Sequence, residues 1–379
     1  MTRNTLVDFF RDLDGKPGEF LVYDDGYRVH RHSYRDVTRA ARAFAARLTA
    51  AGVGRGDKVI IWSENRPEWV VTFWGCLIAG VVVVPIDYRA SLDFLHRVVA
   101  IVGARLILLG EDVRWTADEG PEPSAHGPAS IDTWRLDTVE WTADAPMPHV
   151  TIAADDVAQI VFTSGATAEP KGVVIRHRNV LANVVPVERE VQKYRRYARP
   201  FSPLRFLNLL PLSHMFGQSM ATNVPPMLDG TVVFMRSFNP HDIARTVKRW
   251  RISVIVCVPK ILDVLKEHVV RIDPSAADPP AGLSIPARWW RYRAVHRTFG
   301  LKFWAFVVGA APLGPALEEF WKRLGFVVVQ GYGLTETAPI VTLNHPFRTS
   351  SGSVGKPIAG VEIRIAADGE VLVRGENVT

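Results

Sequence analysis

The sequence predicts an α/β fold in which mostly parallel sheets are covered by helices. Short apolar runs typical of buried strands alternate with segments of helical periodicity over the first 110 residues, and this alternation resumes after residue 163. At about 150 residues per domain, a chain of 379 residues predicts two α/β subdomains. Hydrophobic residues make up 47% of the chain and charged residues 22%, which excludes a long disordered polymer.

The first 110 residues open with a predicted β-hairpin that turns at Asp24-Asp25-Gly26. Ser33, followed by Asp36 three residues later, forms a capping pattern and predicts the start of a helix. The segment 110–150 is acidic, proline-rich and weakly periodic, so we expect a surface excursion there. The predicted strands are Phe20–Tyr23, Tyr27–His32, Lys58–Trp62, Val81–Pro85 and Leu106–Leu109, and two further helices are predicted at Trp69–Ala79 and Ser91–Val102.

The second half repeats the alternation and then changes character. Two short apolar runs near the end of the chain flank Asp368-Gly369, which is a hairpin signal. The predicted strands before it are Leu207–Leu210, Thr231–Phe234, Val254–Cys257, Phe303–Val308 and Val327–Gln330, and the predicted helices are Pro240–Trp250, Lys260–Val269 and Pro315–Leu324.

Several protein classes are excluded by what the sequence lacks. The two cysteines, Cys76 and Cys257, lie in apolar runs, so we expect buried thiols rather than a disulfide framework or a cysteine-ligated zinc site. Charged residues interrupt any signal-peptide core at the N-terminus. The apolar stretch 70–86 is shorter than the ~20 residues of a membrane span. These features predict a cytoplasmic protein.

Basic and aromatic residues alternate in two segments, Lys193–Arg205 and Arg288–Arg297, in a chain of net charge +6. Such segments can contact anionic lipid or nucleic acid. The simpler interpretation is a solvated helix face with tryptophan stems packed inward. Because no nucleic-acid-binding motif accompanies them, we expect no nucleic-acid partner. Peripheral membrane contact stays open.

The segment Ile160–Ile175 has the composition of a phosphate-binding loop between two strands. Glycine allows close approach of backbone N–H groups to an anion, serine and threonine add donors, and Lys171 adds a positive charge. A polar turn between strands is the alternative. The segment is not a Walker loop, because Pro170 precedes Lys171.

Several ordered segments resemble the acyl-adenylate-forming (AMP-binding) superfamily. The resemblance covers nearly the whole chain and is strongest to the large N-terminal domain of fatty acyl-CoA ligases. Thr163–Gly172 resembles the family's phosphate loop, Pro211–Gln218 its acyl-pocket motif, Val308–Leu313 its adenine-side loop and Gln330–Thr337 its nucleotide and magnesium motif. Ser353–Pro357 and Gly369–Gly375 are similar to the segments that follow.

The resemblance implies an ATP-dependent reaction of a carboxylic acid. The carboxylate attacks the α-phosphate of ATP, pyrophosphate leaves, and the thiol of coenzyme A captures the acyl-AMP. The implied cofactors and co-substrates are therefore ATP, Mg²⁺ and coenzyme A. The acyl-pocket motif and the apolar, aromatic-rich middle of the chain favour a medium- or long-chain fatty acid as the substrate.

The resemblance also implies a role for each motif residue. Thr335, Glu336, Lys171 and His214 form the implied catalytic set: Thr335 would donate to the α-phosphate, Glu336 would bind magnesium, and His214 would lie near the acyl carboxylate. The phosphate loop would use Thr163, Ser164, Gly165, Thr167, Lys171 and Gly172. Adenine would stack on Tyr332, flanked by Gly331 and Gly333, against a wall of Gly309, Ala310, Ala311 and Pro312. The plainer interpretations are a helix N-terminal carboxylate for Glu336, a core residue for Tyr332 and a structural histidine for His214.

The phosphate loop departs from the family pattern at two positions. Ala166 replaces a hydroxyl residue, which removes a phosphate donor worth roughly 1.5–3 kcal/mol. Ala168 replaces a glycine and adds a Cβ where glycine permits left-handed backbone. These two alanines bear directly on pyrophosphate contact, and they favour a non-catalytic adenylate- or acyl-binding module as an alternative function.

The expected organisation is one α/β subdomain over residues 1–185, a second over 186–349, and the start of a small β-barrel over 350–379. The family's ribose-binding aspartate, hinge and small catalytic C-terminal domain are expected after Arg374-Gly375 and are absent from this sequence. We therefore expect low activity from the isolated chain. An acyl-AMP ligase that loads a carrier protein is a further alternative.

Overall fold

The structure, a computed structural model, describes residues 3–113, 131–163, 170–198, 202–345 and 352–379. Within these ranges the strands are β1 (Glu19–Asp24), β2 (Val29–Ser33), β3 (Lys58–Ser63), β4 (Val82–Asp87), β5 (Leu106–Leu109), β6 (Asp132–Arg135), β7 (Val157–Thr163), β8 (Lys171–Arg176), β9 (Arg205–Asn208), β10 (Thr231–Met235), β11 (Val254–Cys257), β12 (Ala305–Val308), β13 (Val327–Tyr332), β14 (Thr342–Leu343), β15 (Lys356–Pro357), β16 (Glu362–Ile365) and β17 (Val371–Arg374).

The α-helices of the same ranges alternate with these strands. They are α1 (Leu6–Leu13), α2 (Tyr34–Ala50), α3 (Pro67–Ile78), α4 (Leu92–Val102), α5 (His177–Ala198), α6 (Met215–Gln218), α7 (Val224–Met227), α8 (Pro240–Arg249), α9 (Pro259–Ile272), α10 (Ile285–Arg291), α11 (Arg293–Phe299) and α12 (Pro315–Arg323). A single π-helical turn, Ser219–Asn223, joins α6 to α7.

Two large, mostly parallel sheets form the framework, which confirms the predicted fold class. One has six strands in the order β6-β5-β3-β4-β7-β8, with only β8 antiparallel to its neighbour. The other has nine strands in the order β15-β14-β13-β12-β11-β9-β10-β1-β2, parallel from β13 to β1 and antiparallel at both edges. The hairpin β16–β17 stands apart from both.

Sheet membership does not follow the expected division of the chain at residue 185. The hairpin β1–β2 belongs to the nine-stranded sheet, where β1 pairs in parallel with β10. The short strand β15 also joins this sheet, although it falls in the segment expected to begin a β-barrel. Residues 1–185 therefore contribute strands to both sheets.

One expectation about loops is corrected. The segment 110–150 is not wholly a surface excursion, because β6 pairs in parallel with β5 and forms the edge of the six-stranded sheet. Its sequence, Asp-Thr-Trp-Arg, is polar because the strand lies at an edge and remains partly exposed. An edge strand of this composition carries no apolar run that a sequence pattern could detect.

The apolar stretch near residue 70 is a core helix. All twelve residues of α3 are buried, and the rings of Trp69 and Trp74 pack against Phe73. Cys76 and Cys257 are free and buried, as expected, and burial raises the pKa of both thiols. No helix among the described residues has the length and apolar character needed to cross a bilayer.

Candidate active site

A cavity of about 960 Å³ opens at the carboxyl ends of β9, β11, β12 and β13. Parallel strands direct their carboxyl ends to one edge of a sheet, which is where ligands bind in open α/β proteins. The cavity wall brings together nine of the motif residues named from the sequence: Thr163, His214, Gly309, Ala310, Gly331, Tyr332, Gly333, Thr335 and Glu336.

The segment 331–336 leaves the nine-stranded sheet at the end of β13 and turns along the cavity. Tyr332 is half-buried, packs beside Val341, Ile358 and Val361, and also lines the cavity, so its ring is placed where it can stack on a planar ligand. A Cβ added at Gly333 would overlap the carbonyl oxygen of Pro339, so only glycine fits there. The tightly packed backbone at Gly333 therefore holds the neighbouring Tyr332 ring at the cavity wall.

A short 3₁₀ turn, Thr335–Thr337, presents the two residues expected to act on phosphate and metal. Thr335 and Glu336 both line the cavity, and Glu336 is exposed. Within the described ranges, no ion pair occupies the carboxylate of Glu336. The buried Thr337 hydroxyl accepts a hydrogen bond from the Leu334 N–H at 3.0 Å and so closes the turn.

Two buried asparagines hold this turn from outside. The Asn183 amide on α5 donates to the Thr337 carbonyl at 3.0 Å, and its carbonyl oxygen accepts from the Ile340 N–H at 2.6 Å. The Asn377 amide donates to the carbonyls of Thr337 and Ile340 at 3.2 and 3.3 Å. Sequence reasoning missed both residues, since each acts on backbone far away along the chain. Together they fix the position of Glu336.

The adenine-side loop follows β12. A Cβ added at Gly309 would come within 2.6 Å of the Phe216 ring, so glycine lets this aromatic side chain pack against the loop. Ala310 has φ +64°, a left-handed conformation that non-glycine residues rarely adopt. Ala311 and Pro312 are exposed and do not line the cavity. The structure thus brings only the first half of this expected wall into the site.

The side chain of Asn65 holds the loop that carries His214 through hydrogen bonds to the loop backbone. Asn65 donates to the Leu210 carbonyl at 2.7 Å and accepts from the Leu212 N–H at 2.8 Å. The walls of the cavity desolvate His214 and lower its pKa, and the carboxylate of Asp87 opposes this effect. The imidazole is therefore neutral at neutral pH and can accept a hydrogen bond at the cavity wall.

The structure describes only the two ends of the expected phosphate loop. Thr163 ends β7 and lines the cavity, and Lys171 pairs with it at the start of β8, exposed and outside the cavity wall. Gly172 leaves room for neighbouring side chains, because an added Cβ would lie 2.8 Å from the Cγ2 atom of Ile160. Ser164, Gly165 and Thr167, like Ala166 and Ala168, lie outside the described residues.

A charged cluster at the cavity mouth joins the two sheets and was not predicted. Arg66, which is buried, binds Glu64 at 3.0 Å and Glu68 at 2.8 Å. Arg236 follows β10 and contacts Glu111 at 2.7 Å and the hydroxyl of Tyr23 at 2.8 Å. Burial raises the pKa of Tyr23 to about 12. A signal was present in the sequence, since charged residues directly follow the apolar strand β3.

The interior of the cavity is apolar. Its lining there comes from the first residues of β9, β11 and β12 and from helices across the cavity, and includes Val187, Val191, Leu204, Phe206, Leu210, Met220, Val224, Leu228, Val254, Val258, Trp304, Ala305 and Val307. The charged lining residues Glu64, Arg89, Asp112, Arg236 and Glu336 lie just after strands, and Lys260 lies in the first turn of α9. The cavity can therefore hold a molecule with a polar head and an apolar body.

The described residues fit a nucleotide better than a protein-bound metal. They contain no group of three or more His, Cys, Asp or Glu side chains that could hold a metal ion. A single exposed carboxylate, Glu336, beside a threonine matches Mg²⁺ held jointly by protein and phosphate oxygens.

Comparisons with known proteins identify relatives of this chain. Feruloyl-CoA synthase of an Amycolatopsis species is 27% identical over 91% of this chain and 65% of its own length. Long-chain-fatty-acid–CoA ligase FadD15 of Mycobacterium bovis is 27% identical over 94% of this chain and 65% of its own length. The chain thus spans about two thirds of the length of these relatives.

A fatty acyl CoA synthetase structure from Mycobacterium tuberculosis superposes with a TM-score of 0.76 at 22% identity, covering 99% of this chain and 70% of that one. This likeness shows the shared fold. The family model of the AMP-binding enzymes matches residues 9–379. The chain therefore belongs to the family of AMP-binding enzymes.

Proposed function

We propose that the protein activates a carboxylic acid with ATP to form an acyl adenylate and pyrophosphate, and then transfers the acyl group to coenzyme A. The observation that carries this proposal is the shared cavity. The family's nucleotide motif, residues 331–336, and His214 stand at the same opening of a single pocket whose interior is apolar. The acid's body would lie in that interior and its carboxylate beside the nucleotide.

The first step brings negatively charged groups together, so positioning and charge neutralisation dominate its catalysis. Tyr332 would stack on adenine, and the Thr335 hydroxyl would donate to the α-phosphate. Mg²⁺ bound by Glu336 would neutralise phosphate charge as the leaving group departs. Neutral His214 would hold the acid near the α-phosphate by a hydrogen bond and later leave room for the thiol.

An alkyl acid is the proposed substrate class. Leu204, Phe206, Val254 and Ala305 all line the cavity, and all four side chains are apolar. A fatty acid suits such a lining, because each buried methylene contributes about 0.8 kcal/mol. Among the similar proteins, one is named for feruloyl-CoA and another for long-chain fatty acids.

Exchange of labelled pyrophosphate into ATP across a panel of acids tests the proposal. We expect exchange with alkyl acids and a much smaller rate with Glu336→Gln, while binding of the acid alone stays unchanged. Product analysis with coenzyme A and with an acyl carrier protein then identifies the acceptor. Nucleotide binding without exchange for any acid would refute catalysis and favour a binding module.

We further propose peripheral association with anionic membranes through the surface formed by α10, α11 and the turn that follows α11. Trp289 packs inward on His296 with ring centroids 4.3 Å apart, as the simpler interpretation expects, whereas Trp290 is 74% exposed and Leu301 is 72% exposed. Arg293 lies over the Trp290 ring at 5.2 Å, and Arg297 is exposed one turn further. Among the described residues neither arginine forms an ion pair, so both are available to lipid phosphates.

Vesicle co-sedimentation tests the membrane proposal. Phosphatidylglycerol-containing vesicles should bind the protein, and Arg293→Glu combined with Arg297→Glu should release it. The matched control reverses two exposed arginines on other elements, Arg35→Glu and Arg105→Glu. Equal release by both double variants, or equal binding to neutral phosphatidylcholine vesicles, would refute a specific membrane face.

A further inference from the structure

The apolar cavity runs along the whole length of strand β12. Ala305, Val307 and Gly309 alternate along the strand and line the cavity, whereas Phe306 and Val308 pack into the core on the other face of the sheet. This alternation follows from the two-residue period of a strand. Gly309 stands at the nucleotide end, and Ala305 stands at the opposite edge of the sheet.

Helices form the opposite wall over a similar length. Phe216, Met220, Val224 and Leu228 line the cavity at four-residue spacing through α6, the π-helical turn and α7. Such spacing places side chains along one helical face. A continuous α-helix from Phe216 to Leu228 would rise about 18 Å at 1.5 Å per residue, and the π-helical turn Ser219–Asn223 shortens this length. The cavity is therefore lined from one end of the sheet to the other.

Trp304 and Leu204 mark the far end. The Trp304 N–H donates to the Ser253 carbonyl at 3.2 Å, and its carbonyl accepts from the Val327 N–H at 2.8 Å, so the backbone below the indole is fixed on both sides. The Leu204 carbonyl accepts from the Thr231 N–H at 2.9 Å. Leu204 directly precedes β9, and Trp304 directly precedes β12. A chain entering from the nucleotide end meets these side chains last.

We infer that Trp304 and Ala305 act as a ruler that limits the alkyl chain of the acid to about 12–14 carbons. The strand from Gly309 to Trp304 spans about 16 Å at 3.3 Å per residue. An extended hydrocarbon advances about 1.3 Å per carbon, because its 1.5 Å bonds zigzag. The cavity beyond Gly309 thus holds about 13 carbons. This inference rests on the proposed function, since it assumes an alkyl acid in this cavity.

The test is displacement of a fluorescent fatty acid by saturated acids of 8 to 18 carbons. Each added methylene should raise the affinity about four-fold while apolar space remains. The gain should stop at about 12–14 carbons in the unchanged chain. Ala305→Phe fills the far end and should move this break to shorter acids by about four carbons. Trp304→Ala opens the far end and should move it to longer acids, which keeps the test valid if the phenylalanine variant misfolds.

The matched control is Ala46→Phe, the same change on the exposed surface of α2, which should leave the break in place. A break that both cavity variants leave unchanged, or a steady gain through 18 carbons, would overturn the ruler while the alkyl-acid proposal stands. Displacement by aryl acids such as ferulic acid, with no displacement by any alkyl acid, would overturn the alkyl-acid proposal and the ruler together.

Discussion

Replacing Asn183 by alanine should loosen the turn that carries Glu336. Asn183 is buried and satisfies two backbone groups of the turn, the Thr337 carbonyl and the Ile340 N–H. Alanine removes both hydrogen bonds. The Thr337 carbonyl keeps its contact with Asn377, but the Ile340 N–H loses its side-chain partner.

The expected loss of stability follows from these contacts. Each hydrogen bond contributes about 1 kcal/mol, and leaving a buried donor without a partner costs about 1–3 kcal/mol. We therefore expect the free energy of unfolding to fall by about 3 kcal/mol. MgATP must then order the turn as it binds, and fixing one backbone residue costs about 1–2 kcal/mol. The affinity for MgATP should fall about ten-fold.

Urea denaturation measures the first effect and isothermal titration with MgATP measures the second. Leu95→Ala is the control, because Leu95 is fully buried in the core beside the six-stranded sheet and outside the cavity wall. Truncating a buried leucine costs about 2–5 kcal/mol and should leave MgATP affinity intact. Equal MgATP affinity for the Asn183 and Leu95 variants would refute the link between the asparagine and the nucleotide turn.

Three further predictions concern the same framework. Glu336→Gln should weaken Mg²⁺-dependent ATP binding by about ten-fold or more, because it removes a charge-assisted contact. Because Glu336 is exposed, the melting temperature should stay within a degree or two of that of the unchanged chain. An unaltered Mg²⁺ titration would contradict this role. Gly333→Ala should destabilise the fold severely in denaturant titrations. Gly54→Ala is the control and should not, because a Cβ added at Gly54 meets nothing within 4 Å. Similar denaturation midpoints for the two variants would count against the close packing at Pro339. Burial lowers the pKa of His177 to about 4, and its Nδ1 accepts a hydrogen bond from the Leu6 N–H. The unfolded chain therefore binds more protons than the folded chain between pH 6.5 and 4, and stability should fall by up to about 3 kcal/mol as pH drops through this window. His177→Gln should flatten that pH dependence.

Sequence patterns predicted the central strands well and the edges poorly. The predicted strand Val254–Cys257 coincides with β11, because a strand buried on both faces is a continuous apolar run. The two-residue strands β14 and β15 carry no periodicity that could be recognised. The partner of the first hairpin could not be predicted either, because pairing between distant strands leaves no local signal.

The residues of the candidate site also divide into those that the sequence identified and those that it did not. Tyr332, Thr335 and Glu336 were named from a contiguous motif, and the structure places all three on the cavity wall. Asn183 and Asn377 could not be named, because a side chain that bonds to distant backbone looks like any other polar residue in sequence. Motifs therefore predict which groups meet a ligand, whereas the contacts that hold those groups depend on tertiary structure.

The place of the first hairpin in the nine-stranded sheet has a consequence for folding on the ribosome. Leu21 pairs with Val232, so β1 must wait for 211 further residues before its parallel partner exists. At about 5–20 residues per second, that interval lasts roughly 10–40 s. During it the apolar face of β1 has only β2 as a strand partner, and a hairpin alone is marginally stable in water. The N-terminal hairpin of the nascent chain thus leaves the ribosome well before the strand that completes its sheet has been synthesised.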